Sequence, residues 1–206
     1  MTAYWMDRVK VADEAAYDRY RQAAYDVMAE VKPRLVSLDA RREVLEGPNV
    51  YDRLGILAFP TFDRAREVYA SPGYQASVKI RQASGAVNEL VALEGVEGAP
   101  HDEPFGAYWV AFVQRHDPEQ YQKYVDAAAA LLPHTPAKVL VGGGRYEAME
   151  SPSGCDRFIL VGWPTFDEAV AQFHSEGYQA AAAFRRAGAG DVWIAVVEAA
   201  GPAPWD

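Results

Sequence analysis

Arginine and glutamate stand two residues apart at Arg41 and Glu43, and again at Arg145 and Glu147. On an extended chain both side chains of such a pair point to one face. If that face lines a pocket, the guanidinium holds an anionic group of a substrate and the carboxylate moves protons. The competing reading is an ion pair that steadies each sheet, and its presence twice favours that reading. Tyr17 and Tyr20, like Tyr121 and Tyr124, share a helical face. Such stripes usually belong to a core with the hydroxyl at its edge, where Tyr20 and Tyr124 can orient a ligand. Of the four histidines, His116 and His174 are the acid–base candidates, because imidazole titrates near neutrality. His101 and His134 lie among turn residues.

Other chemistries find less support. No two histidines are spaced i, i+4 and no Cys/His cluster exists, so neither a catalytic nor a structural metal site is expected. Cys155 is the single cysteine; it excludes an internal disulfide and has no base beside it in sequence. Gly142-Gly143-Gly144-Arg145 leads into a strand with no Walker pattern, and no glycine fingerprint opens a helix, so nucleotide binding is not expected.

These residues sit in a chain that repeats itself. Residues 3–96 align without a gap on residues 107–200 at an offset of 104, with 28 of 94 pairs identical. Ala3-Tyr4-Trp5 returns as Ala107-Tyr108-Trp109, and Pro60-Thr61-Phe62-Asp63 as Pro164-Thr165-Phe166-Asp167. The differences matter as much: Asp7, Arg8 and Asp39 stand where the second copy has Ala111, Phe112 and Gly143. Charges in strands are costly to bury unless paired. A polar pocket in the first copy, holding Asp7 and Asp39, and a more structural second copy are therefore expected.

The 206 residues suffice for two domains, and half are hydrophobic, so each copy can bury a core. The formal charge of −9 divides into −2 for residues 1–100 and −7 for residues 101–206. An acidic chain without a basic stretch disfavours nucleic acid and anionic membrane as partners. No apolar run reaches the length of a membrane span and no secretory signal opens the chain, so a cytoplasmic protein is expected.

Each copy reads β-α-β-β-α-β. Tyr4 to Lys10 is a strand; Asp13 caps a helix over Ala16 to Val31, which ends before Pro33. Leu35 to Glu46 is extended, Gly47-Pro48-Asn49 a turn, and Arg53 to Phe59 a strand. Thr61 caps the next helix, with Thr165 and Glu168 forming a capping box in the second copy. Ser71-Pro72-Gly73 interrupts that helix, and Glu89 to Glu94 is the last strand. The expected fold is α+β: two ferredoxin-like repeats, 1–96 and 107–200, joined by a linker at 97–106 and followed by a tail at 201–206. Each repeat is expected to form a four-stranded sheet whose bare face is covered by the other copy.

The set Ala3-Tyr4-Trp5, Asp13, Tyr17, Tyr20, Glu43, Glu46-Gly47 and Ser71 to Ala76, which recurs at the offset of 104 with Glu150-Ser151 in place of Glu46-Gly47, resembles the DUF1330 family of the dimeric α/β barrel superfamily. The second copy keeps the family's glycines as Gly142-Gly143-Gly144; the first has Leu38-Asp39-Ala40 there. The resemblance implies an intramolecular pseudo-dimer, with room for further homodimerisation through helix faces. It also implies a small-molecule ligand. A cofactor-independent enzyme of cyclase, isomerase or oxygenase type is the first reading, with Arg41, Glu43, Asp39, His116 and His174 catalytic. Asp7, Tyr20, Arg145, Glu147 and Tyr124 would bind substrate. A non-catalytic binding or stress-related module is the alternative, and a haem enzyme using one histidine the third.

Overall fold

The computed structural model describes residues 1–150 and 153–205. The first copy runs β1 (Ala3–Lys10), α1 (Glu14–Val31), β2 (Arg34–Leu38), β3 (Arg42–Glu46), β4 (Arg53–Phe59), α2 (Phe62–Ala70), α3 (Pro72–Ala83) and β5 (Val87–Glu94). The second follows as β6 (Ala107–Arg115), α4 (Pro118–Leu131), β7 (Lys138–Gly142), β8 (Tyr146–Glu150), β9 (Arg157–Trp163), α5 (Phe166–His174), α6 (Glu176–Arg186) and β10 (Gly190–Glu198). Among the described residues no helix is long and apolar enough to cross a membrane. Ser151 and Pro152, and Asp206 at the end of the expected tail, lie outside the described residues.

Local chemistry sets the helix ends. Asp13 accepts from the Ala16 N–H at 3.0 Å, and Lys32 closes α1 in a left-handed conformation just before Pro33. Thr61 and Thr165 cap α2 and α5, and Ser71 and Ser175 restart the chain as α3 and α6. In the second copy Pro133 removes a backbone N–H, so α4 stops at Leu131 and passes into a short 3-10 turn at Leu132–His134.

The expected four-stranded sheets are corrected to two five-stranded ones, ordered β2-β4-β1-β5-β8 and β3-β10-β6-β9-β7. The segment read as one extended run from Leu35 to Glu46 breaks at Asp39, whose backbone is left-handed with φ 47°. That conformation is tolerated by aspartate. Beyond the bend, β3 crosses to the other sheet and pairs with β10, and β8 reciprocates by pairing with β5. Each copy therefore completes the other's sheet.

The inner faces of the two sheets pack together as one core, including Tyr4, Met6 and Ile56 from one copy and Phe112, Leu160 and Trp193 from the other. Arg8 is 4% exposed within it. It pairs with Glu89 at 2.6 Å and lies over the rings of Tyr51 and Phe112, 4.3 and 4.2 Å from their centroids. Helices cover the outer faces.

Exchange also places ion pairs across the junction. Arg81 of α3 is 1% exposed and grips Glu150 of β8 through two hydrogen bonds, of 2.9 and 2.5 Å. Its counterpart Arg185 of α6, equally buried, grips Glu46 of β3, one bond measuring 2.9 Å. Bidentate Arg–carboxylate pairs fix orientation as well as supplying attraction.

Candidate functional site

Each copy holds a cavity between its long helix and the outer face of its sheet. Both are walled by the same four aromatic residues: Trp5, Tyr17, Tyr20 and Tyr74 in the first copy, Trp109, Tyr121, Tyr124 and Tyr178 in the second. The tyrosine hydroxyls meet in pairs, Tyr20 with Tyr74 at 3.3 Å and Tyr124 with Tyr178 at 3.1 Å. Behind each pair lies the buried arginine of the junction, with Arg81 4.9 Å from the Tyr20 ring and Arg185 5.1 Å from Tyr124. Burial pushes the pKa values of Tyr20, Tyr74, Tyr121 and Tyr178 above the ordinary tyrosine value, so these phenols stay neutral and serve as hydrogen-bonding groups.

The remaining walls differ. The second cavity measures about 220 Å³, the first about 70 Å³. Val125 and Ala129 of α4 stand where α1 has Arg21 and Tyr25, which removes two long side chains from the opening. The early end of α4 adds Leu131, Leu132 and Thr135 to the wall. In the first copy Trp205 of the tail instead covers the opening and packs on Tyr25, with ring centroids 5.7 Å apart.

Charge differs too. In the first copy Arg53 is neutralised by Glu14 at 2.7 Å and Asp39 at 3.6 Å. Its counterpart Arg157 borders the second cavity, but Pro118 and Gly143 replace the two acids. Among the described residues Arg157 has no carboxylate within ion-pair distance. It donates to the Gly142 carbonyl at 3.0 Å and its buried Nε has no partner. Gly143 makes room for it: at φ +81° a Cβ would stand 2.5 Å from Arg157 Nη1. The second cavity is thus an apolar aromatic chamber with one uncompensated cation at its wall.

The first cavity has the opposite character. Asp7 and Asp39 border it, where the second copy has Ala111 and Gly143. Burial pushes the Asp7 carboxyl up to about 7, against the pull of Arg81 and with the help of Asp39 and Glu150. Asp39 is also raised by burial, opposed by Arg53 and Arg21. Gly55 is required opposite Asp7, since a Cβ there would collide with the carboxylate.

The sequence-derived candidates therefore separate. Asp7, Asp39 and Tyr20 come together at the first cavity and Tyr124 lies at the second. Arg41 and Glu43 border neither. Arg41 precedes β3, is exposed, lies over the Phe166 ring at 4.0 Å and reaches Glu198 at 3.3 Å. Arg145 repeats this over Phe62 with Glu94 at 3.7 Å. Glu43 is exposed, and Glu147 pairs with Arg66 at 2.5 Å. These are junction and surface contacts: the strand exchange carries the Arg-x-Glu segments out to the seam.

His116 pairs with Asp191 at 3.0 Å on the surface, and His174 is exposed beside Phe173. No histidine borders either cavity, and both cavities are smaller than a porphyrin, so the residues present do not fit haem. The polar pocket expected in the first copy corresponds to the cavity where Asp7 and Asp39 meet, and the second copy, expected to be more structural, holds the larger cavity of this matched pair. Sequence reasoning misses Arg157 as a site residue; the replacement of Glu14 and Asp39 by Pro118 and Gly143 is the readable signal.

The family model described as "Domain of unknown function (DUF1330)" matches residues 2–96 and 106–200. No curated protein matches the chain. Among solved structures, an anthrone oxidase-like protein superposes with a TM-score of 0.55 at 12% identity, covering 97% of this chain and 92% of its own. A candidate monooxygenase from Fusobacterium nucleatum subsp. nucleatum gives 0.53 at 8% identity, covering 96% and 91%. A protein of unknown function from Rhodopseudomonas palustris is 23% identical over 47% of this chain and 83% of its own, with a TM-score of 0.38. The first two similarities concern the fold of the whole double-copy chain.

Proposed function

The chain belongs to the DUF1330 family, as two copies in one polypeptide, and on that premise we propose that its second cavity takes a compact aromatic molecule bearing one anionic oxygen. The oxygen is a carboxylate, phenolate or enolate. The observation that carries this reading is Arg157, a guanidinium without a carboxylate partner at the wall of an apolar chamber. An unpaired cation in such surroundings is costly and a ligand anion offsets that cost. The aromatic walls supply the apolar contact that small-molecule sites use, and Arg157 with the Tyr124–Tyr178 pair supplies the few polar groups.

The chemistry that follows is stabilisation of an oxyanion. A cation beside a phenol or enol favours its ionised form, and exclusion of water strengthens that attraction while desolvation itself opposes ionisation, so the direct pairing with Arg157 decides the balance. An electron-rich phenolate or enolate held this way is primed for the cyclase, isomerase or oxygenase chemistry of a cofactor-independent enzyme. The anthrone oxidase-like neighbour carries a name that fits an aromatic substrate of this sort. A specific observation favours a second reading, a binding module without turnover: among the described residues, no carboxylate or imidazole borders the second cavity to act as a general base.

The test uses 2-naphthoate and its neutral amide, followed by calorimetry. The acid should bind more tightly, and Arg157→Leu should lower its affinity about 30-fold, the equivalent of about 2 kcal/mol for a charged hydrogen bond. The amide should be little affected. Equal binding of acid and amide would sink the reading. Ala129→Tyr, which restores the bulk of the first copy, should abolish binding of both while the melting temperature holds. Bound 2-naphthol separates the two readings. A lowered phenol pKa, seen in its absorption, supports oxyanion chemistry; an unchanged one supports the module.

A further inference from the structure

We propose that the first cavity is a second, independent binding site, for a small organic cation of the alkylammonium class. It does not rest on the anion site of the second copy, with which it has the four aromatic residues in common but not the charged ones.

The argument begins with charge. Asp7 sits on β1 with its carboxylate at the cavity wall and the Gly55 backbone N–H beside it. Among the described residues no arginine or lysine lies within ion-pair distance of Asp7. The cations around it are each committed elsewhere. Arg81 of α3 is held by Glu150 of β8, and Arg53 of β4 by Glu14 and Asp39. Arg21 of α1 donates to the Tyr25 hydroxyl at 3.1 and 3.0 Å and reaches Asp18 at 3.3 Å. The other groups facing Asp7 are the carboxylates of Asp39 and Glu150, each already paired with an arginine, and the neutral phenols of Tyr17, Tyr20 and Tyr74. The cavity therefore keeps one carboxylate for which the protein itself provides no counter-ion.

The walls suit a cation as well. Trp5, Tyr17, Tyr20, Tyr25, Tyr74 and Trp205 surround the space with rings. Aromatic faces attract ammonium groups, most strongly where water is excluded. About 70 Å³ suits an ammonium carrying a few carbon atoms. The second copy lacks this chemistry at every decisive position, with Ala111, Ile159, Val125 and Ala129 in place of Asp7, Gly55, Arg21 and Tyr25. The contrast is one of kind: an unpaired anion in one cavity, an unpaired cation in the other.

Isopropylammonium and isopropanol are nearly the same shape and differ in charge, so they make a matched pair of probes. Saturation-transfer NMR and calorimetry on the full chain should show the ammonium binding at pH 8 at least tenfold more tightly than the alcohol. That preference should fall away between pH 8 and pH 5.5, because a protonated Asp7 no longer balances the charge. Asp7→Asn should remove the preference at pH 8, bringing the ammonium down to the level of the alcohol. Equal binding of the two probes by the wild-type protein would overturn the proposal, as would a preference that survives Asp7→Asn. Should the variant fold poorly, the wild-type pH profile decides alone: a preference undiminished at pH 5.5 would overturn the proposal. Neither result depends on whether Arg157 binds 2-naphthoate.

Discussion

Glu150→Ala is expected to destabilise the protein by about 3–5 kcal/mol, the usual result of removing one member of a buried ion pair. The loss comes less from the missing attraction than from what remains. Arg81 is 1% exposed, its Nε already lacks a partner, and without Glu150 its two terminal nitrogens lose theirs too. Urea denaturation of the variant beside the wild type measures the difference. The companion experiment replaces both partners, Arg81→Met with Glu150→Leu, and should recover most of the loss because no charge is then stranded. A loss below about 1 kcal/mol for the single variant would mean that Arg81 finds water or another acceptor, and that the seam is looser than its geometry indicates.

Asp7→Asn is expected to act in the opposite direction. The Asp7 carboxyl rises from 3.8 to about 7 in the folded protein. Between those values the folded chain holds a proton that the unfolded chain has released. Stability therefore falls as pH climbs from about 4 to about 7, and the whole deficit is present above 7. It amounts to about 4 kcal/mol at pH 8. An amide does not ionise, so Asp7→Asn should gain most of that at pH 8, a rise in melting temperature on the order of 10 °C for a chain of this size. Near pH 4 the two proteins should differ by less than about 1 kcal/mol. Equal melting temperatures at pH 8 would show that Asp7 is well solvated or already paired. A residue that weakens its own fold at neutral pH is the pattern expected of a site kept for binding or chemistry.

Much of the fold is legible because its signals are local. Asp13, Thr61, Thr165 and Ser71 mark helix starts by their side chains alone, and Pro33 and Pro133 mark ends. The strand Arg53–Phe59 is a run of apolar residues closed by Pro60, and it forms at those bounds. The duplication is visible as a constant offset, and it leads to two sheets packed face to face. The strand exchange leaves no such trace. It turns on a single left-handed residue, Asp39, in a segment whose composition is extended on both sides. Its consequence, that Arg81 meets a glutamate 69 positions away, has no sequence periodicity. The same event moves Arg41 and Glu43 from a supposed pocket to the seam. Asp7 and Asp39 stand out in the sequence because a charge in one copy faces a small residue in the other. Arg157 does not, because it is identical in both copies and only its surroundings change. Trp205 reads as tail because nothing local says what an aromatic residue after the last strand will cover.

The crossing of β3 and β8 bears on how such a protein diversifies. In a symmetric assembly of two identical chains, any inherited change appears in both chambers at once, so an acid gained in one is gained in the other. A single gene encoding both halves removes that constraint, and here one chamber carries Asp7 while its twin carries a lone Arg157. The halves are not thereby free to part. Each tyrosine pair is backed by an arginine whose carboxylate is encoded in the opposite half, so either half alone would lack a strand and a counter-charge beneath its chamber. Mutation can specialise the linings independently, whereas the frame that holds them is inherited as a unit.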